Sequence, residues 1–112
     1  MSLVTAIIKP HQLLAVKDAV QAAGVHGLTI SEVKGFGRQG GHTETYRGAE
    51  YTIDFVPKVK VEIVVPTADG AKVADVIAAA AHTGKIGDGK IWITAVADLL
   101  RIRTGERAQE AL

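Results

Sequence analysis

The sequence predicts an α+β fold in which two helices cover one face of an antiparallel sheet. The order strand, proline, helix, strand occurs twice, around Pro10 and again around Pro66, half a chain later. In each half, apolar residues with the period of two that strands show flank apolar residues at helical spacing. A doubled βαβ order with a hairpin-like central connection is typical of the ferredoxin-like fold. We therefore expect a single βαββαβ domain over residues 1–112.

The first half begins with residues 3–9, whose alternation up to Pro10 predicts a strand. Apolar residues recur at helical spacing over 12–23, and Gly24 is suited to end this helix. Alternation that starts at residue 28 predicts the second strand.

The second half contains the most regular alternation of the chain, over 58–65, where every second residue is Val or Ile until Pro66. Residues 69–81 place apolar side chains on one stripe of a second helix. A glycine-rich loop over 83–90 leads to a fourth strand over 91–96. The tail that follows is expected to fray.

One face of the predicted sheet has no helix on it. If the alternation holds, this face carries Lys60 and Glu62 together with the apolar Ile7, Val64 and Trp92. A mixed, partly apolar face suggests burial in an oligomer, although scattered apolar residues are also common on monomer surfaces. We favour the oligomer.

Composition limits the class of protein. The chain has 112 residues, of which 47% are hydrophobic and 4% aromatic, which suits one domain with an aliphatic core. A net charge of +1 gives no support for nucleic-acid binding by bulk charge. The lack of cysteine excludes disulfides and thiolate metal sites. There is no apolar run of membrane-spanning length and no signal-peptide pattern, so we expect a cytoplasmic protein without membrane insertion.

The connection over 35–57 is the least regular stretch. It contains five glycines and shows neither hydrophobic period, so we expect no regular element in it. Loops of this length in compact domains are mostly functional or linkers. This one carries His42, Tyr46 and Tyr51 among charged residues, unlike a flexible linker. We therefore expect exposed tyrosines in a loop that contacts a partner or accepts a modification.

Two weak motifs suggest anion binding. Residues 84–90 fit most of the phosphate-binding G-x-x-x-x-G-K pattern, but Ile91 replaces the expected hydroxyl residue, and a helix precedes the loop where a P-loop has a strand. Glycine N–H groups can still approach an anion, or the segment is an ordinary connection. Arg101 and Arg103 would share one side of an extended segment, suited to a polyphosphate, or form a solvated charge pair. The spacings reveal no catalytic or metal-ligand set.

Several strings resemble the PII nitrogen-regulatory signal-transduction family: GFGRQ at 35–39, GHTE at 41–44, YRGAEY at 46–51, TGKIGDGK at 83–90 and RIRTGE at 101–106. The resemblance spans nearly the whole chain. It implies a homotrimer of ferredoxin-like domains, each projecting a T-loop at about 37–55, with nucleotide in the clefts between subunits. The glycine-rich loop at about 82–90 and the C-terminal segment at about 101–112 would close on the phosphates.

The resemblance also implies binding residues for ATP or ADP, Mg²⁺ and 2-oxoglutarate. Gln39 would ligate Mg²⁺ beside 2-oxoglutarate, which Lys58 and Gly87 would contact. Tyr51 matches the tyrosine that is nucleotidylylated in many members. The implied nucleotide-binding residues are Thr29, Gly35, Gly37, Arg38, Val64, Gly87, Asp88, Gly89, Lys90, Arg101 and Arg103.

The function implied by the resemblance is that of a non-enzymatic sensor whose T-loop regulates ammonium transporters and nucleotidylyltransferases. Gly40 replaces a Lys of many members, which removes a charge near the effector, and Ala49 excludes the serine phosphorylation of other members. The residues alone leave open a small nucleotide-hydrolysing enzyme built on the glycine-rich loop. They also leave open an RNA-binding βαββαβ module, for which Trp92 is the one stacking candidate. A metal-tolerance trimer of similar architecture lacks these loop strings.

Overall fold

The computed structural model describes the backbone of residues 1–37, 42–46, 49–53 and 55–112, and the side chains within 1–37 and 55–112. Each helix follows a short 3₁₀ turn that begins at or directly after a proline, because the fixed φ of proline suits a helix start. Among the described residues, no helix is long and apolar enough to cross a membrane. The elements in chain order are β1 (Ser2–Ile8), α1 (Leu13–Ala22), β2 (Thr29–Phe36), β3 (His42–Tyr46), β4 (Ala49–Ile53), β5 (Phe55–Val65), α2 (Gly70–Ala81) and β6 (Lys90–Ala95).

Four of the strands form one sheet in the order β2-β5-β1-β6, and all neighbours are antiparallel. The two strands joined by α1, β1 and β2, are separated by β5, so each half of the chain interleaves with the other. This arrangement confirms the predicted ferredoxin-like α+β fold.

The core lies between this sheet and the two helices. Val16 and Val20 of α1 and Val73 and Ile77 of α2 are buried, as their helical spacing predicts. Complete burial of such a side chain stabilises the fold by roughly 1.5–3 kcal/mol, so these contacts dominate the docking of the helices. The buried apolar residues are Val4, Ala6, Ile8, Val16, Val20, Val59, Val61, Ile63, Val65, Val73, Ile77 and Ala81.

The opposite face of the sheet has the predicted composition. Cross-strand partners on this face are Ile7 with Lys60, Thr5 with Glu62 and Trp92, and Leu3 with Val64. Trp92 is 45% exposed, although it lies in the sheet beside the central strand β1. The makeup of the face is thus confirmed, and its burial in an oligomer stays a prediction.

The connection over 35–57 differs from the prediction, because β2 continues through Phe36 and β5 already begins at Phe55. Within the connection, β3 and β4 pair as an antiparallel two-stranded sheet. The expectation of no regular element was wrong. Hydrophobic alternation marks strands with one face on a core, whereas this pair is separate from the four-stranded sheet and is rich in the β-favouring Thr and Tyr.

The tail is ordered, which corrects the expectation that it frays. A β-bridge joins Leu100 to Arg107, and a 3₁₀ helix follows at Ala108–Ala111. Gly105, with a φ of 75°, lies in the turn between the two bridge residues and closes this turn by donating its N–H to the carbonyl of Arg101 at 2.8 Å. Local hydrogen bonding thus orders a segment with no hydrophobic period.

Candidate functional site

A cleft of about 650 Å³ lies at the end of the sheet where β2 ends and β5 begins. The glycine-rich loop and the start of β6 form its other wall, and Ile7, Ile86 and Trp92 add apolar surface. Many of the predicted ligand-binding residues meet here: Gly35, Gly37, Lys58, Gly87, Asp88, Gly89 and Lys90.

The glycine-rich loop follows a path that its glycines make possible. Gly84, Gly87 and Gly89 have φ values of 82°, 96° and 103°, in the left-handed region that other residues avoid. A Cβ on Gly89 would lie 1.7 Å from the carbonyl oxygen of Ile7, so the loop packs directly on the backbone of β1. Since α2 precedes the loop and β6 follows it, the loop is not a P-loop.

Asp88 stabilises the start of this loop by hydrogen bonds. Its carboxylate accepts hydrogen bonds from the N–H groups of Thr83 and Gly84, at 2.8 and 2.9 Å, and from the Thr83 hydroxyl. The ammonium of Lys9 lies 3.2 Å from the same carboxylate. The Thr83 hydroxyl first, and then the main-chain N–H groups, hold the pKa of Asp88 well below its usual range. The carboxylate is therefore ionised and serves to shape the loop.

Lys58 lies in the cleft with only 7% of its surface exposed, and its ammonium donates to the carbonyl of Gly87. Burial, followed by the positive charge of Lys9, lowers the pKa of Lys58 below its ordinary value, while Asp88 offsets part of the effect. An ammonium has three N–H donors. Lys58 can therefore keep its contact with Gly87 and also bind an anion.

The predicted residues Thr29 and Val64 lie elsewhere. They line a second cavity of about 690 Å³, together with Leu99 and Leu112. Along β5, Val64 is about 20 Å from Lys58 at a rise of about 3.4 Å per residue. Within a single chain, the predicted nucleotide-binding residues thus lie at two opposite ends of the sheet.

Arg101 and Arg103 lie at a turn, which corrects the extended segment expected for them. The guanidinium of Arg101 donates to main-chain oxygens of Ala111 and Leu112 and lies 3.6 Å from the carboxylate of Glu106. Arg103 is exposed. Alternation along a strand puts residues i and i+2 on one side, and a turn removes that relation.

Three of the predicted site residues fall on side chains that the structure does not describe. Arg38 and Gln39 lie outside the described residues, and only the backbone of Tyr51 is described, in β4 opposite Glu44. The metal ligand and the modification site therefore stay predictions.

Two residues of the site were missed from the sequence, Lys9 and Thr83. Lys9 follows β1 and donates to the Thr83 hydroxyl at 3.0 Å. The sequence contained a signal for Thr83. A hydroxyl residue a few positions before an Asp in a glycine-rich loop favours a turn that is stabilised by side-chain hydrogen bonds. No local signal exists for Lys9, because its partners are distant in sequence.

The fold and the cleft define a ferredoxin-like α+β domain with a glycine-rich loop and a buried lysine at one end of its sheet. The family model of nitrogen regulatory protein P-II matches residues 1–106. The chain is 53% identical to nitrogen regulatory protein P-II of Azospirillum brasilense and 54% identical to that of Rhizobium meliloti, over the full length of each. It is 52% identical to nitrogen regulatory protein GlnK of Escherichia coli, again over both full lengths. The chain belongs to the nitrogen regulatory protein P-II family.

Membership confirms the resemblance seen in the sequence and supports a role in nitrogen-regulation signalling. The relatives are named as regulatory proteins, which suggests regulatory contact with target proteins in preference to catalysis.

Proposed function

We propose that the chain senses nitrogen, carbon and energy status by binding ATP or ADP competitively and 2-oxoglutarate together with Mg-ATP. Its T-loop would present the bound state to targets of the ammonium transporter and nucleotidylyltransferase kinds. The observation that carries the proposal is the cleft in which Lys58 contacts the glycine-rich loop.

The chemistry of the cleft suits a polyanion. Lys58 and Lys90 supply positive charge, and glycine N–H groups of the loop can approach phosphate oxygens closely. Ile7, Ile86 and Trp92 add apolar surface, which would exclude water and strengthen hydrogen bonds from an ammonium once a ligand or a neighbouring chain covers it. Each such charged hydrogen bond is worth about 1.5–3 kcal/mol.

The division of the predicted residues supports a homo-oligomer, which the resemblance makes a homotrimer. In one chain the end of the sheet with Thr29 and Val64 is about 20 Å from Lys58. A neighbouring chain can bring its own Thr29 and Val64 beside the first chain's Lys58, and the same contact would cover half-exposed Trp92. The nucleotide would then lie between subunits.

Magnesium fits the described part of the cleft only together with anionic ligands. The oxygens of Asp88 are engaged by Thr83, Gly84 and Lys9, and the cleft lysines repel a bare cation. Gln39, whose side chain is outside the described part, would hold the ion with oxygens of the ligands. The ion would offset the repulsion between phosphates and oxoacid carboxylates.

Coupling between the ligands follows from where Gln39 and Lys58 lie in the chain. Gln39 follows β2 and Lys58 belongs to β5, so they flank the root of the T-loop. A ligand set that engages both residues would restrain this root, and the T-loop would differ in shape from its ADP-bound form. Linkage then requires ATP and 2-oxoglutarate to strengthen each other by the same factor.

Calorimetric titration of 2-oxoglutarate with Mg-ATP, with Mg-ADP and with ATP plus EDTA tests the proposal. We expect tight binding only with Mg-ATP. Lys58→Met should abolish it, whereas Lys17→Met, which removes a half-exposed lysine paired with Asp18 on α1, should not. Equal affinity under the three conditions would overturn the coupled sensor.

The alternative classes have direct tests as well. A nucleotide-hydrolysing enzyme would release phosphate from ATP in a turnover assay, and an RNA-binding module would shift single-stranded RNA in a gel. We expect neither, because no general base or nucleophile has been assigned and the net charge is only +1.

A further inference from the structure

We infer that Lys9, Thr83 and Asp88 are positioning residues, whose side chains hold the glycine-rich loop and so direct the Lys58 ammonium at an anionic ligand. The inference rests on the proposed function. It adds side chains that act on the loop and not on the ligand.

The three side chains form a connected set between the end of β1 and the loop. The Thr83 hydroxyl donates to Asp88 and accepts from Lys9 at 3.0 Å and from the N–H of Lys85 at 3.2 Å. The side chains of Lys9 and Asp88 are only 16% and 25% exposed. Their ion pair is therefore screened less than a pair on the open surface.

The set reaches Lys58 through the loop backbone. The carbonyl that accepts from Lys58 belongs to Gly87, the residue directly before Asp88. It cannot move far while the Asp88 carboxylate stays bound to Thr83 and Gly84. If the set is broken, the loop must be ordered when the ligand binds, and that ordering reduces affinity.

The set also acts on Lys58 by charge. Among the described residues, the charged groups near Lys58 on this face are Lys9, Lys60 and Lys90 on the strands and Asp88 on the loop, and β2 contributes uncharged residues. Burial has the largest effect and lowers the pKa of Lys58. The charge of Lys9 lowers this pKa further, and the charge of Asp88 raises it. Lys9→Met should thus raise the pKa of Lys58, and Asp88→Asn should lower it.

These opposite shifts give a test that a merely structural role would not pass. Binding of 2-oxoglutarate needs the charged ammonium, so affinity falls as the pH rises through the pKa of Lys58. With Mg-ATP present, this alkaline decline should move to higher pH in Lys9→Met and to lower pH in Asp88→Asn. Declines that move in the same direction would overturn the inference.

Substitutions of Thr83 isolate the hydroxyl from the shape of the side chain. Thr83→Val should weaken 2-oxoglutarate binding with Mg-ATP by about five- to tenfold, the effect of about one hydrogen bond. Thr83→Ser should restore it, and Lys17→Met is the control with wild-type affinity. Unchanged affinity in Thr83→Val at neutral pH would refute the positioning role. If Asp88→Asn fails to fold, Lys9→Met, Thr83→Val and Thr83→Ser still test the positioning role.

Amide hydrogen exchange without ligand separates this inference from the proposed function. Wild-type protein that binds neither ATP nor 2-oxoglutarate would overturn the proposed function. In that case, hydrogen exchange alone would test whether the three side chains hold the loop. Faster exchange at Gly84 and Lys85 in Thr83→Val, but not in Lys17→Met, supports the inference. Equal exchange in the wild type and both variants contradicts it.

Discussion

Replacing Gly89 by alanine tests how the glycine-rich loop packs on β1. A non-glycine residue at the φ of 103° costs about 1–2 kcal/mol. The added Cβ would also lie 1.7 Å from the carbonyl oxygen of Ile7 and 2.8 Å from its carbon. Because β1 is paired with strands on both sides, the loop must shift instead, at about another 1–3 kcal/mol. Gly89→Ala should therefore lower the free energy of unfolding by about 2–5 kcal/mol.

Two other glycines supply matched controls. Gly24 has a φ of 96° with no atom within 4 Å of an added Cβ, so Gly24→Ala carries the backbone cost alone, about 1–2 kcal/mol. Gly27 has open space and no positive φ, so Gly27→Ala should be neutral or stabilise by up to about 1 kcal/mol. The difference between Gly89→Ala and Gly24→Ala isolates the clash with β1.

Urea unfolding at one fixed protein concentration measures all three variants, since oligomerisation would make stability depend on concentration. We expect the order Gly27→Ala, Gly24→Ala, Gly89→Ala from most to least stable. If Gly89→Ala loses no more stability than Gly24→Ala, the close approach of the loop to Ile7 is refuted.

Three further predictions concern ligand binding, modification and acid stability. Arg103→Ala should weaken Mg-ATP binding about ten- to a hundredfold, and Arg101→Ala by less, because Arg101 must first release its main-chain partners; calorimetry giving the reverse order would contradict this. The peptide that contains Tyr51 should carry the mass of a nucleotidyl group under nitrogen limitation, and intact-mass analysis that finds only unmodified protein under both limitation and excess would refute that claim. The lowered pKa of Asp88 means that its contribution to stability is present above its unfolded pKa of about 4 and is lost as the pH falls toward the folded value. Asp88→Asn should therefore flatten the decline of Tm below about pH 4, and parallel curves for both proteins would contradict it.

Much of the fold could be predicted because one-sided burial leaves a local pattern. Of the alternation predicted over 58–65, residues 59–65 are buried and partly exposed in turn, and Lys58 departs from it because it is buried in the cleft. The stripes of both helices contain their buried valines. The β3–β4 pair escaped prediction because it lies outside the four-stranded sheet and shows no such pattern. Hydrogen bonding across Gly105, which orders the tail, likewise leaves no hydrophobic signal.

The candidate site could be predicted in part for the same reason. The glycine-rich string marked a loop with unusual backbone conformations, and the structure places it in a cleft with Lys58. Hydrophobic periodicity could not predict the turn at Arg101, because this turn depends on hydrogen bonds to later residues of the tail, which periodicity does not report.

The sequence by itself determined the family, the buried faces and the order of the elements outside the connection over 35–57, because each depends on residues close together in the chain or on direct similarity. Only the tertiary structure decided that Lys9 meets Thr83 across 74 positions of sequence, and that Val64 lies far from Lys58. Such contacts arise where the sheet brings distant segments together. Their geometry depends on strand order and register, which no local pattern of residues encodes.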